Sequence, residues 1–260
     1  MAEALRWCKE QQEYHRVLET IPSELPCCQW AVNTALSDLL SEPVGVTFPV
    51  AALVDSMETL IARQAAAYQS FKRKIGISGF VYESQQIEDF FQQLSTGQQL
   101  RLDANGRLSE SDFSAWLEFL EGKPVEYLEQ PMAPGLENRM LEMVEPFSTP
   151  LALDESIAGM QSLTEWKDWP GPLVLKPSLL GSLLETIPTR IVGSSVFETS
   201  FGLETSLQYL ARHQKSDTAI GFDTISFIED DGWNLHEPGS QLETGEVSRE
   251  MLQGLWEEKQ

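Results

Sequence analysis

At 260 residues and 42 % hydrophobic, the chain is long enough to bury one large core. Its net charge of −22 argues against nucleic acid or an anionic membrane surface as partner, because like charges repel. No apolar run reaches the roughly 18 residues of a transmembrane helix, and the charged start "MAEALRWCKEQQEYH" has no apolar stretch of the secretory type.

The first 48 residues read as two helices without a strand, "LRWCKEQQEYHRVLETI" and "CQWAVNTALSDLLS". From residue 50 short apolar runs alternate with amphipathic stretches. The runs are "VAALV" (50–54), "FKRKIG" (71–76), "QLRLD" (99–103), "VEYLE" (125–129), "LALD" (151–154), "LVLK" (173–176), "RIVGS" (190–194) and "AIGF" (219–222). The stretches between them include 57–68, 84–94, 109–122 and 136–147, with Ser84 and Ser109 as expected N-caps. Strands alternating with helices at this step indicate βαβ units and a parallel sheet, and eight of them suggest a closed α/β barrel. Residues 223–260 are acidic and rich in turns. The expected division is therefore a helical remnant of a cap at 1–48, a barrel at 49–222, and a C-terminal segment at 223–260 that returns to the cap. Cys8, Cys27 and Cys28 have neither a disulfide pattern nor metal-ligand spacing, which fits a reducing cytoplasm.

In such barrels function collects at the C-terminal ends of the strands. Those ends carry Lys72 and Lys74, then Asp103, Glu129, Asp154 and Lys176, spaced 22 to 29 residues apart, one βα unit each. Three carboxylates from adjacent strands repel unless a cation lies among them, and hard oxygen ligands with room for water suit Mg²⁺. The strand period of two turns Lys72 and Lys74 inward and Arg73 outward, where its stem covers the helix layer. A lysine beside a metal and a second lysine has the character of a base, suited to removing a proton next to a carboxylate. Any one of these residues alone would be read as a cap, a turn or a solvated edge. Five consecutive strand ends in register are hard to obtain that way.

The motifs "FKRKIG", "LDANG", "YLEQPM", "LALDES" and "LVLKPSLLG" resemble the enolase superfamily in its muconate-lactonizing branch, and "FKRKIG", "EQPM" and "SSVFETSFGL" are similar in wording to its o-succinylbenzoate synthase family. The resemblance covers roughly residues 30–235. It implies a (β/α)7β barrel of TIM type with an α+β capping domain, of which this chain would carry only a part. It implies Mg²⁺ held by Asp103, Glu129 and Asp154, with Mn²⁺ as a substitute. Lys74 would be the base, Lys176 would stabilise the enolate, and Lys72 would support Lys74. The substrate would be a small carboxylate. Asn105 in "DANG" is either a turn residue or a support beside Asp103, and backbone N–H groups at Gly193, Ser194 and Ser195 are candidates for a substrate carboxylate. The barrel motifs equally suit an N-acylamino acid racemase or dipeptide epimerase, although the Asp-x-Asp pair expected of the latter is absent from "GFDTIS". A truncated, non-catalytic barrel that only binds a partner is the alternative from another class. No histidine falls at a strand end. No feature of the sequence specifies an oligomeric state.

Overall fold

The computed structural model describes residues 18, 20–37, 39–187, 190–214, 217–227 and 232–259. Most of the first expected helix, with Cys8 and His15, lies outside the described residues. The second expected helix is α1 (Pro26–Leu36), entered through a proline in its first turn, where the missing N–H costs nothing. After β1 (Thr47–Pro49) the chain follows the expected rhythm: β2 (Ala51–Leu53), α2 (Met57–Ala65), β3 (Ser70–Lys74), α3 (Phe80–Gln93), β4 (Gln99–Asp103), α4 (Glu110–Leu120), β5 (Val125–Glu129), α5 (Glu137–Val144), β6 (Leu151–Ala152), α6 (Met160–Glu165), β7 (Leu173–Leu175), β8 (Ile191–Gly193) and α7 (Ser200–His213). Only a 3-10 turn, Pro177–Leu179, is described between β7 and β8. A short antiparallel strand, β9 (Gln241–Glu243), and α8 (Arg249–Glu258) end the chain.

Strands β2 to β6 form one parallel sheet and β7 pairs with β8 in parallel. Three parallel bridges join these pieces into a ring, Leu153 with Leu173, Ser194 with Gly221, and Ile220 with Val50. Backbone bonds secure each junction: Val174 N–H to Leu153 O (2.7 Å), Gly221 N–H to Gly193 O (2.8 Å) and Ala51 N–H to Ile220 O (2.9 Å). Residues 220–221, from the expected run "AIGF", therefore serve as the eighth parallel member. The architecture is an α/β barrel with its helices outside.

Alternation along the strands sorts the side chains. Leu100, Leu102 and Leu128 join the large core between strands and helices, whereas Tyr127, Ala152, Val174 and Val192 form a separate buried cluster inside the ring. Arg101, 1 % exposed, lies beside that cluster with its guanidinium 4.9 Å from the Tyr127 ring centre. It forks onto Glu126 through Nε and Nη2 (2.8 and 2.7 Å), and Nη2 also donates to Ala219 O on the far side of the ring. The floor beneath the site is thus a filled, ionic layer.

Two local expectations differ in outcome. Ser109 does cap α4, accepting the Asp112 N–H at 3.1 Å. Ser84 lies inside α3, which starts four residues earlier at Phe80 behind Gly79, and its hydroxyl donates to Val81 O. Glu83 replaces it as the organiser of that start, accepting the N–H groups of Gly76, Ile77 and Ser78 at 2.7–2.8 Å. The flanking segments meet each other: β1 pairs antiparallel with β9, and Arg249 donates to Ser41 Oγ. This pairing lies at the entry to the first barrel strand, the end opposite the site, while α1 reaches the site end, where Asn33 donates to Gly181 O just past Lys176. No helix among the described residues is long and apolar enough to cross a membrane.

Candidate active site

The ladder sets the level of each group. Lys74 is paired with Asp103, Asp103 with Glu129, and Glu129 with Ala152, so β3, β4 and β5 deliver Lys74, Asp103 and Glu129 at one height. Lys72 starts one side-chain layer deeper but reaches up. Its Nζ lies 2.9 Å from Asp103 Oδ2 and 2.6 Å from Glu129 Oε1. Across the ring Lys176 Nζ grips both oxygens of Asp154, at 2.6 and 2.7 Å. Lys74 is exposed, and its side-chain amine makes no ion pair or hydrogen bond among the described residues. It opens onto a cleft of about 530 Å³ shared with Leu53, Arg63, Lys72, Ile77 and Phe227. Arg73 points outward as expected: its guanidinium lies 4.6 Å from the Phe90 ring centre and donates to Gln86 on α3.

The charges act on one another. Burial pushes the Glu129 carboxyl up to about 7; Lys72 pulls it down, and the Asp103 and Asp154 carboxylates push it up again. Burial alone would lower the Lys72 ammonium, but Glu129 and Asp103 outweigh it and hold Lys72 charged well above the ordinary lysine range. Glu129 Oε2 is buried without a hydrogen-bond partner. The three acids therefore belong to one electrostatic cluster. As they stand, no group of three Asp, Glu, His or Cys side chains among the described residues is drawn close enough to hold a metal ion. Lysine ammonium groups occupy the oxygens that such an ion would need.

Asn105 has φ +46°, so the turn role is present. It is also a link in the site: its N–H donates to Asp103 Oδ1 (3.0 Å) and its amide to Glu155 Oε1 (2.9 Å). The residues at 193–195 depart from expectation. The Gly193 N–H goes to Gln214 Oε1, the Ser194 N–H to Leu175 O and the Ser195 N–H to Gly221 O. All three donors serve the ring and its helix, so they have none to offer a carboxylate. Gly193 is small for another reason, since a Cβ there would lie 2.2 Å from Leu210 Cδ1 of α7. The Ser195 hydroxyl donates to Glu198, which also accepts from Ser178 beyond Lys176.

Sequence reasoning passed over Gln130, Arg101 and Glu126. The period of two in "QLRLD" puts Arg101 on the same face as Asp103, which was a usable signal. Glu126 gave none, because it sits where the β4–β5 register shifts.

Residues 52–169 match the Enolase C-terminal domain-like family. Over 224 residues the chain is 31 % identical to o-succinylbenzoate synthase of Thermosynechococcus vestitus, covering 79 % of this chain and 69 % of that protein. The chain belongs to the enolase superfamily. Among solved superfamily structures, an o-succinylbenzoate synthase from Thermosynechococcus elongatus with Mg in its active site has a TM-score of 0.75 at 25 % identity, over 99 % of this chain and 82 % of its own. A hydrophobic dipeptide epimerase of Roseobacter litoralis is 27 % identical over 206 residues, 70 % of this chain and 57 % of that protein. The family match contains Lys72, Lys74, Asp103, Glu129 and Asp154; Lys176 lies beyond it.

Proposed function

We propose that this chain is an o-succinylbenzoate synthase, a carbon–oxygen lyase that dehydrates 2-succinyl-6-hydroxy-2,4-cyclohexadiene-1-carboxylate to 2-succinylbenzoate. The observation that carries this reading is the uncommitted Lys74 amine on a strand end level with Asp103 and Glu129, in a ring whose opposite strand β7 ends in the Lys176–Asp154 pair. Asp103, Glu129 and Asp154 would hold Mg²⁺. The fit rests on three hard oxygen donor groups in one cluster and on the buried, unpartnered Oε2 of Glu129. Bound there, the ion would supply Lewis acidity toward the substrate carboxylate.

Lys74 takes the proton from the carbon bearing the carboxylate. The C–H electron pair moves into the ring as the neighbouring C–O bond breaks, and the Lys74 ammonium returns the proton to the departing hydroxide, which leaves as water on the same face. Lys176 places positive charge where negative charge develops on the substrate carboxylate. Lys72 holds Asp103 and Glu129 in place and favours the charged form of Glu129. Superfamily sites of this kind use a lysine base beside Mg²⁺.

Dipeptide epimerization is the second reading, because lysines on both sides suit removal and return of a proton on opposite faces. An ammonium-bearing substrate needs acid beyond the eighth strand. Asp223 stands there, but it accepts the Leu53 N–H and the Tyr68 hydroxyl and pairs with Arg63 at 2.9 Å, and Thr224 and Ile225 follow it. A cytoplasmic location fits the free Cys27 and Cys28. We place the barrel at 49–222, flanked by 1–48 and 223–260; these flanks meet in the β1–β9 pairing at the end opposite the site, and α1 reaches toward the site end. Incubation with Mg²⁺ and the cyclohexadiene substrate, followed optically for aromatization, tests the reading, with an N-succinylamino acid and a dipeptide in parallel. Racemization or epimerization without aromatization would replace it.

A further inference from the structure

The β5–β6 ladder ends at Glu129 and Ala152, yet Asp154 lies two residues past that end. Its N–H has left the ladder, so another group must fix its place relative to Glu129. That group is Gln130. The residue is fully buried and has φ +34°, a left-handed conformation that is strained for a non-glycine residue and persists only where the surroundings enforce it.

Its backbone joins two neighbours: its N–H donates to Ala152 O (2.8 Å) and its carbonyl accepts the Gly106 N–H (2.7 Å) from the turn after Asp103. Its side chain does the rest. Oε1 accepts the N–H groups of Asp154 (3.0 Å) and Ser156 (3.2 Å), while Nε2 donates to Met132 O (3.0 Å) and Ser156 Oγ (2.8 Å). Ser156 Oγ then donates to Glu137 Oε1 (2.6 Å) at the start of α5. One residue thus ties together the three segments that carry Asp103, Glu129 and Asp154.

We propose that Gln130 is the positioning residue that sets the spacing of the Glu129 and Asp154 carboxylates, and thereby the affinity of the cluster for a divalent cation. The inference rests on the metal-dependent reading above. Gln130 touches no reacting atom. It acts through the Asp154 loop, whose backbone it holds beside the β5 strand end, while the Leu153–Leu173 bridge holds the other side and Lys176 and Asn105 reach only the side chains of Asp154 and Glu155.

The test is Mn²⁺ binding, read by electron paramagnetic resonance on the full chain, for the parent, Gln130→Met and Ser156→Ala. Gln130→Met keeps the volume and deletes both polar atoms. It should bind Mn²⁺ about 10- to 100-fold more weakly, the usual penalty for losing a group that orients a metal ligand. Ser156→Ala keeps both N–H bonds to Gln130 and should lose a smaller but measurable part of the affinity, about two- to tenfold. At saturating Mg²⁺, kcat of Gln130→Met should recover more than its metal requirement does. A folded Gln130→Met with parental Mn²⁺ affinity overturns the proposal. Should that variant fail to fold, parental affinity in Ser156→Ala overturns it equally. A parent that binds no Mn²⁺ overturns the metal-dependent reading itself, and the inference with it.

Discussion

Replacing Lys72 by methionine removes the one cation shared by Asp103 and Glu129, whose side chains are 3 % and 1 % exposed. Methionine fills the space, so the loss is electrostatic. Breaking a buried pair by deleting one partner costs about 3–5 kcal/mol, because the remaining charge stays in a poorly solvating interior. For a chain of this size that is a fall in Tm on the order of 10 °C. The cost should depend on pH in a defined direction. Glu129 is already pushed up to about 7 by burial and its acidic neighbours. Without Lys72 its carboxyl rises further, so it folds protonated at low pH with little penalty and resists charging as pH rises. Destabilisation should therefore be small at pH 5 and full at pH 8. The assay is thermal and urea unfolding in EDTA at both pH values. Arg139→Met serves as the control: its partners Glu110 and Glu142 are more than half exposed and solvent screens the pair, so little or no loss is expected at either pH. Saturating Mg²⁺ at pH 8 should restore more stability to Lys72→Met than to the parent, since the ion no longer competes with an ammonium. Equal losses at pH 5 and pH 8, or no loss at pH 8, would refute the shared-cation argument.

Gly193→Ala should destabilise the protein by about 1–3 kcal/mol through the clash with Leu210 while leaving KM unchanged at permissive temperature; a raised KM would return Gly193 to the substrate. Mn²⁺ affinity of the parent should weaken by up to about tenfold per pH unit below about 7, because the ion must then displace the proton on Glu129; calorimetry across pH 5.5–8 checks this. Ser109→Ala should cost about 1 kcal/mol in chemical denaturation by uncapping α4, with no change in turnover.

The strand ends were legible in the sequence because a parallel barrel repeats one physical device: an apolar run that must be buried, followed by a polar residue where the strand emerges. That device put Asp103 and Glu129 at one height on neighbouring strands, Asp154 just past the end of the next, and Lys72 and Arg73 on opposite faces. Pairing was not legible. Which lysine meets which acid depends on side-chain reach across the register, and Lys72, the deeper residue, takes the two acids that lie level with Lys74. The N–H groups of 193–195 looked available because a strand edge and a turn read alike in a short "IVGSS" segment; Gln214 of the chain after α7, Leu175 of β7 and Gly221 of the closing member take one each. Ser84 failed as a cap because Glu83 organises the preceding turn through its carboxylate, a role that a search for serine and threonine caps does not detect. Gln130 escaped notice because its importance lies in a left-handed backbone and four side-chain bonds, neither of which has a periodic signature.

The most direct measurement is turnover of the cyclohexadiene substrate by Lys74→Ala against the parent, with Mn²⁺ affinity determined on the same samples. Lys74 ligates no acid in the cluster, so its loss should leave metal binding near the parental value while aromatization falls by about 10²–10⁴-fold, the usual contribution of a positioned acid–base group. Aromatization by Lys74→Ala at a rate near that of the parent, with metal bound, would contradict the assignment and leave Lys74 as a surface lysine at the barrel mouth.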